Sequence, residues 1–172
     1  MSNARQQGFF LGPLSVLGLS IAALTAIFDQ AHKWWMLEVY DIDAKEFVTV
    51  APFLDLVMVW NKGISYGLFQ QGAGGQYLLA VFALVAVVAL VLWLARISTA
   101  IGAAGIGLVM GGAIGNGIDR VVHGAVADFF SFHWGDFYWY VFNIADVAIV
   151  AGVIGLLYDS LFGSHKKVSK SP

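Results

Sequence analysis

The twenty residues at positions 76–95, QYLLAVFALVAVVALVLWLA, contain no charged side chain and decide the class of the fold. An α-helix needs about 20 consecutive apolar residues to cross the hydrocarbon core of a bilayer. The rest of the chain agrees, because 59% of its 172 residues are hydrophobic and only 12% are charged. Since a soluble domain carries about 25% charged residues, the composition indicates a membrane protein.

The gaps between charged residues predict three further spans. Helix 1 is expected at 9–28, helix 3 at 99–122 and helix 4 at 137–162, and the segment 76–95 is helix 2. The first span is too long for the apolar core of a cleaved signal peptide, so we expect it to be retained. These spans predict an all-α membrane protein in which residues 1–172 form a single transmembrane domain of four helices.

The distribution of Lys and Arg predicts the orientation of these helices. Five basic residues in short segments would share one side of the membrane: Arg5, Arg96, Lys166, Lys167 and Lys170. The other side would hold the loop 29–75, in which three Lys face six acidic residues. Because cytoplasmic segments carry an excess of Lys and Arg, both termini are expected in the cytoplasm. The loops 29–75 and 123–136 are then extracytoplasmic.

The first of these outer loops contains a pattern typical of β-strands. Segments 47–50 and 54–60 are rich in β-branched and aromatic residues, and Pro52 lies between them. The residues 61–63, Asn-Lys-Gly, then form a turn signal. A loop of this length is too long to be a connection only. We therefore expect a small extracytoplasmic β-sheet within the first outer loop, resting on the bilayer surface.

The side chains that the sequence lacks narrow the possible chemistry. The chain has no Cys, which excludes disulfides, thiolate nucleophiles and sulfur-ligated metals. It also has neither the H-E-x-x-H signature of zinc proteases nor the G-x-S-x-G nucleophile elbow. The net charge of −2 offers no basic face for nucleic acid. We expect no metal, no other cofactor and no nucleic-acid partner.

Polar residues cluster near the outer ends of helices 3 and 4. Helix 3 ends in G-G-A-I-G-N-G-I-D-R at 111–120, and the segment 142–146 reads F-N-I-A-D. Gly111 and Gly115 have the spacing that lets helix backbones approach closely in lipid. This end of helix 3 is therefore expected to pack tightly against another helix.

Three acids, Asp119, Asp128 and Asp146, are predicted to lie toward the outer side. Charged groups at membrane depth are costly and usually mark function. Arg120 could neutralise one of them as a purely structural pair, which leaves the others unexplained. Two carboxylates at close range share one proton, so that one can deprotonate water while the other polarises a carbonyl group. These residues therefore favour aspartic-protease chemistry.

Two other classes of protein are alternatives. A small transporter or channel could use the intramembrane acids as an ion or proton relay. Such proteins often contain repeated halves, and this sequence has no internal repeat. A structural subunit of a membrane complex is the third possibility.

Five short motifs, in order along the chain, closely resemble those of the bacterial lipoprotein signal peptidase (signal peptidase II) family. They are D-Q-x-x-K at 29–33, N-x-G-x-x-F-G at 61–67, G-G-A-x-G-N-x-x-D-R at 111–120, G-x-V-x-D-F at 124–129 and F-N-x-A-D-x-x-I at 142–149. The one departure is Tyr66, where the family usually has Phe. The likeness extends over nearly the whole chain.

The resemblance implies an aspartic endopeptidase of the bacterial inner membrane, with Asp128 and Asp146 as the catalytic pair. Its reaction would be hydrolysis of the peptide bond before a diacylglyceryl-modified cysteine, which releases the signal peptide of a prolipoprotein. Lipidated prolipoprotein and membrane lipid would be its partners, and globomycin would inhibit it. We expect it to act as a monomer without a cofactor.

The resemblance also implies supporting roles for residues around this pair. Asp119 would be a supporting acid, oriented by Asn116 and balanced by Arg120. Asn143 would lie one helical turn above Asp146 and orient a carboxylate or the substrate peptide. Asn61 and Gly63 would bring the loop over the site. Asp29 and Lys33 would fix the outer end of helix 1. Ala145 is the remaining residue expected to support the site or bind substrate.

Overall fold

Four long helices form the frame of the chain in a computed structural model that describes residues 12–63 and 73–163. They are α1 (Ser15–Trp34), α2 (Ala73–Leu94), α3 (Ala100–His123) and α4 (Ile144–Phe162). Each belongs to a segment long and apolar enough to cross a membrane, as predicted. Helix α3 contacts the other three and is the most buried, whereas α2 is the least buried. The frame is therefore built around α3.

An antiparallel sheet of four strands covers the end of the frame where α3 finishes and α4 begins. The strands are β1 (Val48–Ala51), β2 (Leu54–Asn61), β3 (Val126–Trp134) and β4 (Phe137–Tyr138), paired in that order. Strand β2 pairs with β3 through Leu56 opposite Phe130 and Asn61 opposite Val126. A π-helical turn at Trp35–Val39 continues α1 toward the sheet.

Local sequence signals set the ends of α3 and α4. The Thr99 hydroxyl accepts a hydrogen bond from the Gly102 N–H at 3.1 Å and caps the start of α3. Gly124 ends this helix in the left-handed conformation, with φ of 70°. At the start of α4, Asn143 and Asp146 form a reciprocal capping box. Asp146 is thereby held in the first turn of α4.

Glycines let α3 approach its neighbours closely. A Cβ atom at Gly111 would lie less than 3.0 Å from the Ala22 carbonyl of α1, and one at Gly115 would collide with the Asp29 carboxylate. At Gly112 a Cβ atom would collide with the backbone of α4. The spacing of Gly111 and Gly115 therefore marks the α1–α3 contact, as the small-residue pattern predicts.

Two buried apolar clusters join the elements. The first lies between α1, α2 and α3 and contains Ala22, Leu94, Ala103, Ile106 and Met110. The second lies under the sheet and contains Met36, Ile42, Ala127 and Phe129. The second cluster fixes the sheet to the helix ends, so the strands hold a defined position over the frame.

The predicted end of helix 1 is wrong. Helix α1 continues to Trp34, six residues beyond the predicted end at residue 28. The helix continues because Asp29 and Lys33 pair one turn apart at 2.9 Å and are buried. The predicted residues 9–11 lie outside the described residues.

The predicted start of helix 4 is also wrong. Residues 137–138 form β4, and α4 begins only at Ile144, after the cap residue Asn143. The apolar character of 137–143 comes from aromatic residues of the sheet edge. Asp146 is therefore not about 12 Å down the helix, as a start near 137 would require, but in its first turn.

The prediction of an all-α chain with a sheet confined to the first outer loop needs correction. Strands β1 and β2 come from that loop as predicted. Strand β3 comes from the segment 123–136, which was predicted as a plain loop, and β4 comes from residues that were predicted to begin helix 4. The first six residues of β3 include five buried ones, on both faces of the strand. A strand buried on both faces lacks the alternation by which strands are usually detected.

Candidate active site

Asp128 and Asp146 line the same cavity, of about 230 Å³, at the end of the frame beneath the sheet. The other polar lining residues are Asn61, Asn116, Arg120 and Tyr140. The rest of the wall is apolar and includes Leu79, Phe82, Ala83 and Ala86 of α2. Two larger cavities contain no carboxylate in their linings. The pair of acids therefore distinguishes this cavity from the larger ones.

The chain brings the two acids together through the segment that precedes α4. Asp128 lies on β3 opposite Val59 of β2, at a register shift in the sheet. The Phe142 N–H donates to the Phe130 carbonyl oxygen at 3.0 Å, and the Phe142 carbonyl accepts from the N–H groups of Phe129 and Phe130. These bonds tie the start of α4 to the middle of β3.

Asp128 accepts an amide hydrogen bond on each of its carboxylate oxygens. Asn143 Nδ2 donates to Oδ1 at 2.7 Å, and Asn61 Nδ2 donates to Oδ2 at 3.0 Å. The Asn61 side-chain oxygen in turn accepts from the Gly63 N–H at 2.9 Å. The loop sheet thus reaches the acid directly through Asn61.

Asp146 is held by two asparagines. Asn116 Nδ2 donates to its Oδ1 at 2.9 Å, and the Asn143 N–H donates to its Oδ2 at 3.3 Å. Asn143 Nδ2 also donates to Asn116 Oδ1 at 3.0 Å. A continuous set of amide hydrogen bonds therefore joins Asp128 to Asp146.

The side chain of Asp119 contacts residues of α1 rather than the two residues that were predicted to be its partners. Lys33 Nζ lies 2.8 Å from Asp119 Oδ2, and Gln30 Nε2 donates to Asp119 Oδ1 at 2.9 Å. Asn116, expected to orient Asp119, instead contacts Asp146. Arg120, expected to balance Asp119, follows it directly in α3 and forms no ion pair with it among the described residues.

Arg120 anchors the end of β2 to α3. Its guanidinium donates to the carbonyl oxygens of Asn116 and Gly63, each at 3.1 Å. In the part of the chain that the structure describes, it forms no ion pair with an acid. Arg120 thus lines the cavity as a cation held by backbone carbonyl groups.

Asp29 and Lys33 lie on α1 itself rather than beyond its end. Asp29 is fully buried, and its Oδ1 accepts the Ala145 N–H at 2.9 Å. Ala145 is also fully buried, where α3 and α4 meet at Gly112. These residues connect α1 to the first turn of α4.

Comparison with known proteins identifies the family. A family model described as Signal peptidase (SPase) II matches residues 21–162, which include every residue of this cavity. The chain belongs to the signal peptidase II family. It is 53% identical over 153 residues to the lipoprotein signal peptidase of Rhodopseudomonas palustris strain TIE-1, with 86% of this chain and 93% of that protein covered.

Further relatives agree with this assignment. The lipoprotein signal peptidase of Methylocella silvestris is 50% identical over 151 residues, with 87% of this chain and 88% of that protein covered. A solved bacterial membrane enzyme, determined by the in meso method at 2.3 Å resolution, matches with a TM-score of 0.73 and 28% identity. That match covers 91% of this chain and 95% of the other. As a signal peptidase II, the chain is a membrane protease of lipoprotein processing, which sets aside the transporter and structural-subunit alternatives.

Two residues of this signal peptidase II site were not predicted from the sequence. Gln30 contacts Asp119, and its Nε2 also donates to the Gly115 carbonyl oxygen at 3.2 Å. Its place in the D-Q-x-x-K motif is the signal that could have identified it. Tyr140 lines the cavity, but its sequence context resembles the aromatic residues common at membrane boundaries.

The pKa of Asp128 is raised to about 7, and the largest cause is burial, because removal from water disfavours the charged carboxylate. The negative charge of Asp146 is the second cause of this rise. The hydrogen bonds from Asn61 and Asn143, and the positive charge of Lys33, act in the opposite direction. This peptidase therefore keeps an acid that changes charge near neutral pH inside its cavity.

The raised pKa of Asp128 predicts how stability depends on pH. Between about pH 4 and pH 7 the folded chain keeps a proton on Asp128 that the unfolded chain has lost, so this contribution to stability falls as pH rises. We expect the melting temperature in detergent to fall less between pH 5 and pH 8 for Asp128→Asn than for wild type. An identical pH dependence in the two proteins would show that Asp128 titrates as an ordinary exposed acid.

Proposed function

We propose that this signal peptidase II is an aspartic endopeptidase whose catalytic groups are Asp128 and Asp146. Its reaction would be hydrolysis of the peptide bond that precedes a diacylglyceryl-modified cysteine in a prolipoprotein. The observation that carries the proposal is the shared cavity, in which two carboxylates are joined by amide hydrogen bonds. Neither Cys nor a nucleophilic serine motif is present as an alternative.

The chemistry follows from sharing one proton between two carboxylates. With the pKa of Asp128 near 7, the pair can hold one proton at neutral pH, so one carboxylate is a base and the other an acid. The base takes a proton from water, whose oxygen attacks the carbonyl carbon, while the acid protonates the carbonyl oxygen. As the tetrahedral intermediate collapses, a proton passes to the leaving amine of the cysteine.

The surroundings of the cavity suit a substrate that arrives from lipid. A signal peptide is itself a membrane helix, and its lipidated cysteine lies at the membrane boundary. Apolar residues of α2, the least buried helix, form one wall of the cavity. Polar groups that could bind a peptide backbone also line the cavity, namely Asn61 at the end of β2 and Arg120 of α3.

We also propose that the enzyme acts as a monomer in the bacterial inner membrane, surrounded by lipid, with its cavity on the extracytoplasmic side. The orientation is supported by the excess of Lys and Arg in the segments assigned to the cytoplasm. A reporter fused after Lys170 is expected to behave as cytoplasmic, and one inserted near Lys45 as extracytoplasmic. The reverse pattern would contradict both the orientation and the location of the cavity.

Cleavage by the purified protein tests the proposed function. In detergent, the chain should release a signal-peptide fragment from a lipidated prolipoprotein, but not from the same protein with the modified cysteine replaced by serine. Globomycin should block the release, and EDTA should leave it unchanged. Loss of cleavage with EDTA that zinc restores would overturn the aspartic mechanism.

A further inference from the structure

Lys33 is a buried cation with three partners. Its side chain is 4% exposed, and its ammonium lies 2.9 Å from Asp29 Oδ2, 2.8 Å from Asp119 Oδ2 and 3.1 Å from Asn116 Oδ1. An ammonium group has three hydrogen-bond donors and no acceptor. All three donors are therefore used, and each of them points to a different residue.

Each of the two carboxylate partners of Lys33 accepts a hydrogen bond from a backbone N–H group. Asp29 Oδ1 accepts the Ala145 N–H at 2.9 Å, and Asp119 Oδ2 accepts the Ala127 N–H at 3.1 Å. Ala145 immediately precedes one proposed catalytic aspartate in the chain, and Ala127 immediately precedes the other. Each carboxylate that Lys33 binds thus fixes the backbone beside one member of the pair.

Asn116, the third partner of Lys33, belongs to the hydrogen bonds that reach the side chains of Asp128 and Asp146. Because Lys33 can only donate, the atom of Asn116 that faces it must be the amide oxygen. Asn116 Nδ2 must then face Asp146, to which it donates at 2.9 Å. The same Asn116 oxygen accepts from Asn143, which donates to Asp128. The ammonium therefore fixes the direction of the amide hydrogen bonds that reach both acids.

We propose that Lys33 is a positioning residue that sets the spacing and orientation of the two proposed catalytic carboxylates. This proposal rests on the proposed function of Asp128 and Asp146. An ammonium that only stabilised the α1–α3 contact would need no more than its ion pair with Asp119 of α3. Here the third contact orients an amide that touches Asp146, and both paired acids hold the backbone beside the reacting groups.

Removing the charge of Lys33 is expected to disturb turnover more than substrate binding. In Lys33→Met the carboxylates of Asp29 and Asp119 lose the cation between them and repel. Their backbone partners then move, and a displacement of about 1 Å at catalytic groups can cost about 10²-fold in rate. We expect kcat for a lipidated prolipoprotein to fall about 10²-fold per folded enzyme, with KM changed by less than about threefold.

A second variant separates positioning from folding. The combined change Lys33→Met, Asp29→Asn and Asp119→Asn removes all three charges together, so it avoids the buried unpaired charge that makes the loss of a single partner strongly destabilising. Its melting temperature is expected to stay near that of wild type, while kcat remains at least about tenfold lower because Asn116 loses the cation that orients it. A folded triple variant, or a folded Lys33→Met variant, with kcat near wild type would overturn the proposal.

Two controls complete the test. Thr99→Val removes the 2.7 Å hydrogen bond from the Thr99 hydroxyl to Asp159 at the opposite end of α3, so it should lower the melting temperature without changing kcat. Asp128→Asn reports on the proposed function in the same assay. Turnover retained in Asp128→Asn would contradict the catalytic pair itself. Turnover lost there but retained in Lys33→Met would contradict only the role of Lys33.

Discussion

Asp128→Asn and Asp146→Asn are each expected to remove nearly all cleavage of a lipidated prolipoprotein. Asparagine keeps the shape of aspartate but can neither take a proton from water nor give one to the leaving amine. Loss of positioned acid–base catalysis costs about 10²–10⁴ in rate, and a pair that shares one proton should lose more. The rate is measured at saturating substrate, and the melting temperature of each variant verifies that it folds.

Asp159→Asn is the matched control for these substitutions. Asp159 is buried at the far end of α4 and accepts a hydrogen bond from the Thr99 hydroxyl at 2.7 Å. Asparagine still offers an acceptor oxygen to Thr99, so turnover should stay near wild type. A single variant at Asp128 or Asp146 that keeps about a tenth of wild-type turnover would refute the assignment. So would an Asp159→Asn variant that is equally damaged.

Gly112→Ala is expected to cause a large loss of turnover, although residue 112 carries no chemistry. A Cβ atom there would lie less than 3.0 Å from the Ala145 carbonyl oxygen and 2.7 Å from Ile149 Cγ1. Because the first obstacle is backbone in the first turn of α4, the helix must shift, and Asp146 shifts with it. We expect a fall in kcat of about 10²-fold, since misplacing a catalytic group by about 1 Å costs about that much.

Gly117→Ala on the same helix provides the comparison. Its Cβ atom would lie 3.8 Å from the Ala83 Cβ, an ordinary van der Waals distance. Alanine is also favoured over glycine in a helix by about 1 kcal/mol. This variant should therefore keep wild-type turnover and melt at the same or a higher temperature. If Gly112→Ala behaves like Gly117→Ala, the close approach of α3 to α4 does not position Asp146.

The four spans could be predicted because membrane thickness constrains apolar segments strongly. Helix α2 was predicted at 76–95 and found at Ala73–Leu94, and α3 was predicted at 99–122 and found at Ala100–His123. The start of α4 could not be read from hydropathy, because the aromatic residues before it belong to the sheet. The capping-box pattern of Asn143 and Asp146 carries the signal that hydropathy lacks.

The members of the candidate site were easier to predict than their contacts. The motifs identified Asp119 and Arg120 as neighbours, which suggested a pair, but Lys33 of another helix is the cation that binds Asp119. Spacing within one helix shows which of its faces a residue occupies. It does not show which residue of a neighbouring helix lies opposite, because that depends on how the two helices are rotated and packed.

The single-turnover rates of wild type, Asp128→Asn, Asp146→Asn and the double variant test most directly whether the two carboxylates act as one unit. When two groups act as one unit, loss of either group removes most of the catalysis that both provide. The effects of the two substitutions on the rate are therefore far from additive. We expect the double variant to be scarcely slower than the slower of the two single variants. A double variant slowed by the product of the two single effects would contradict a shared catalytic pair.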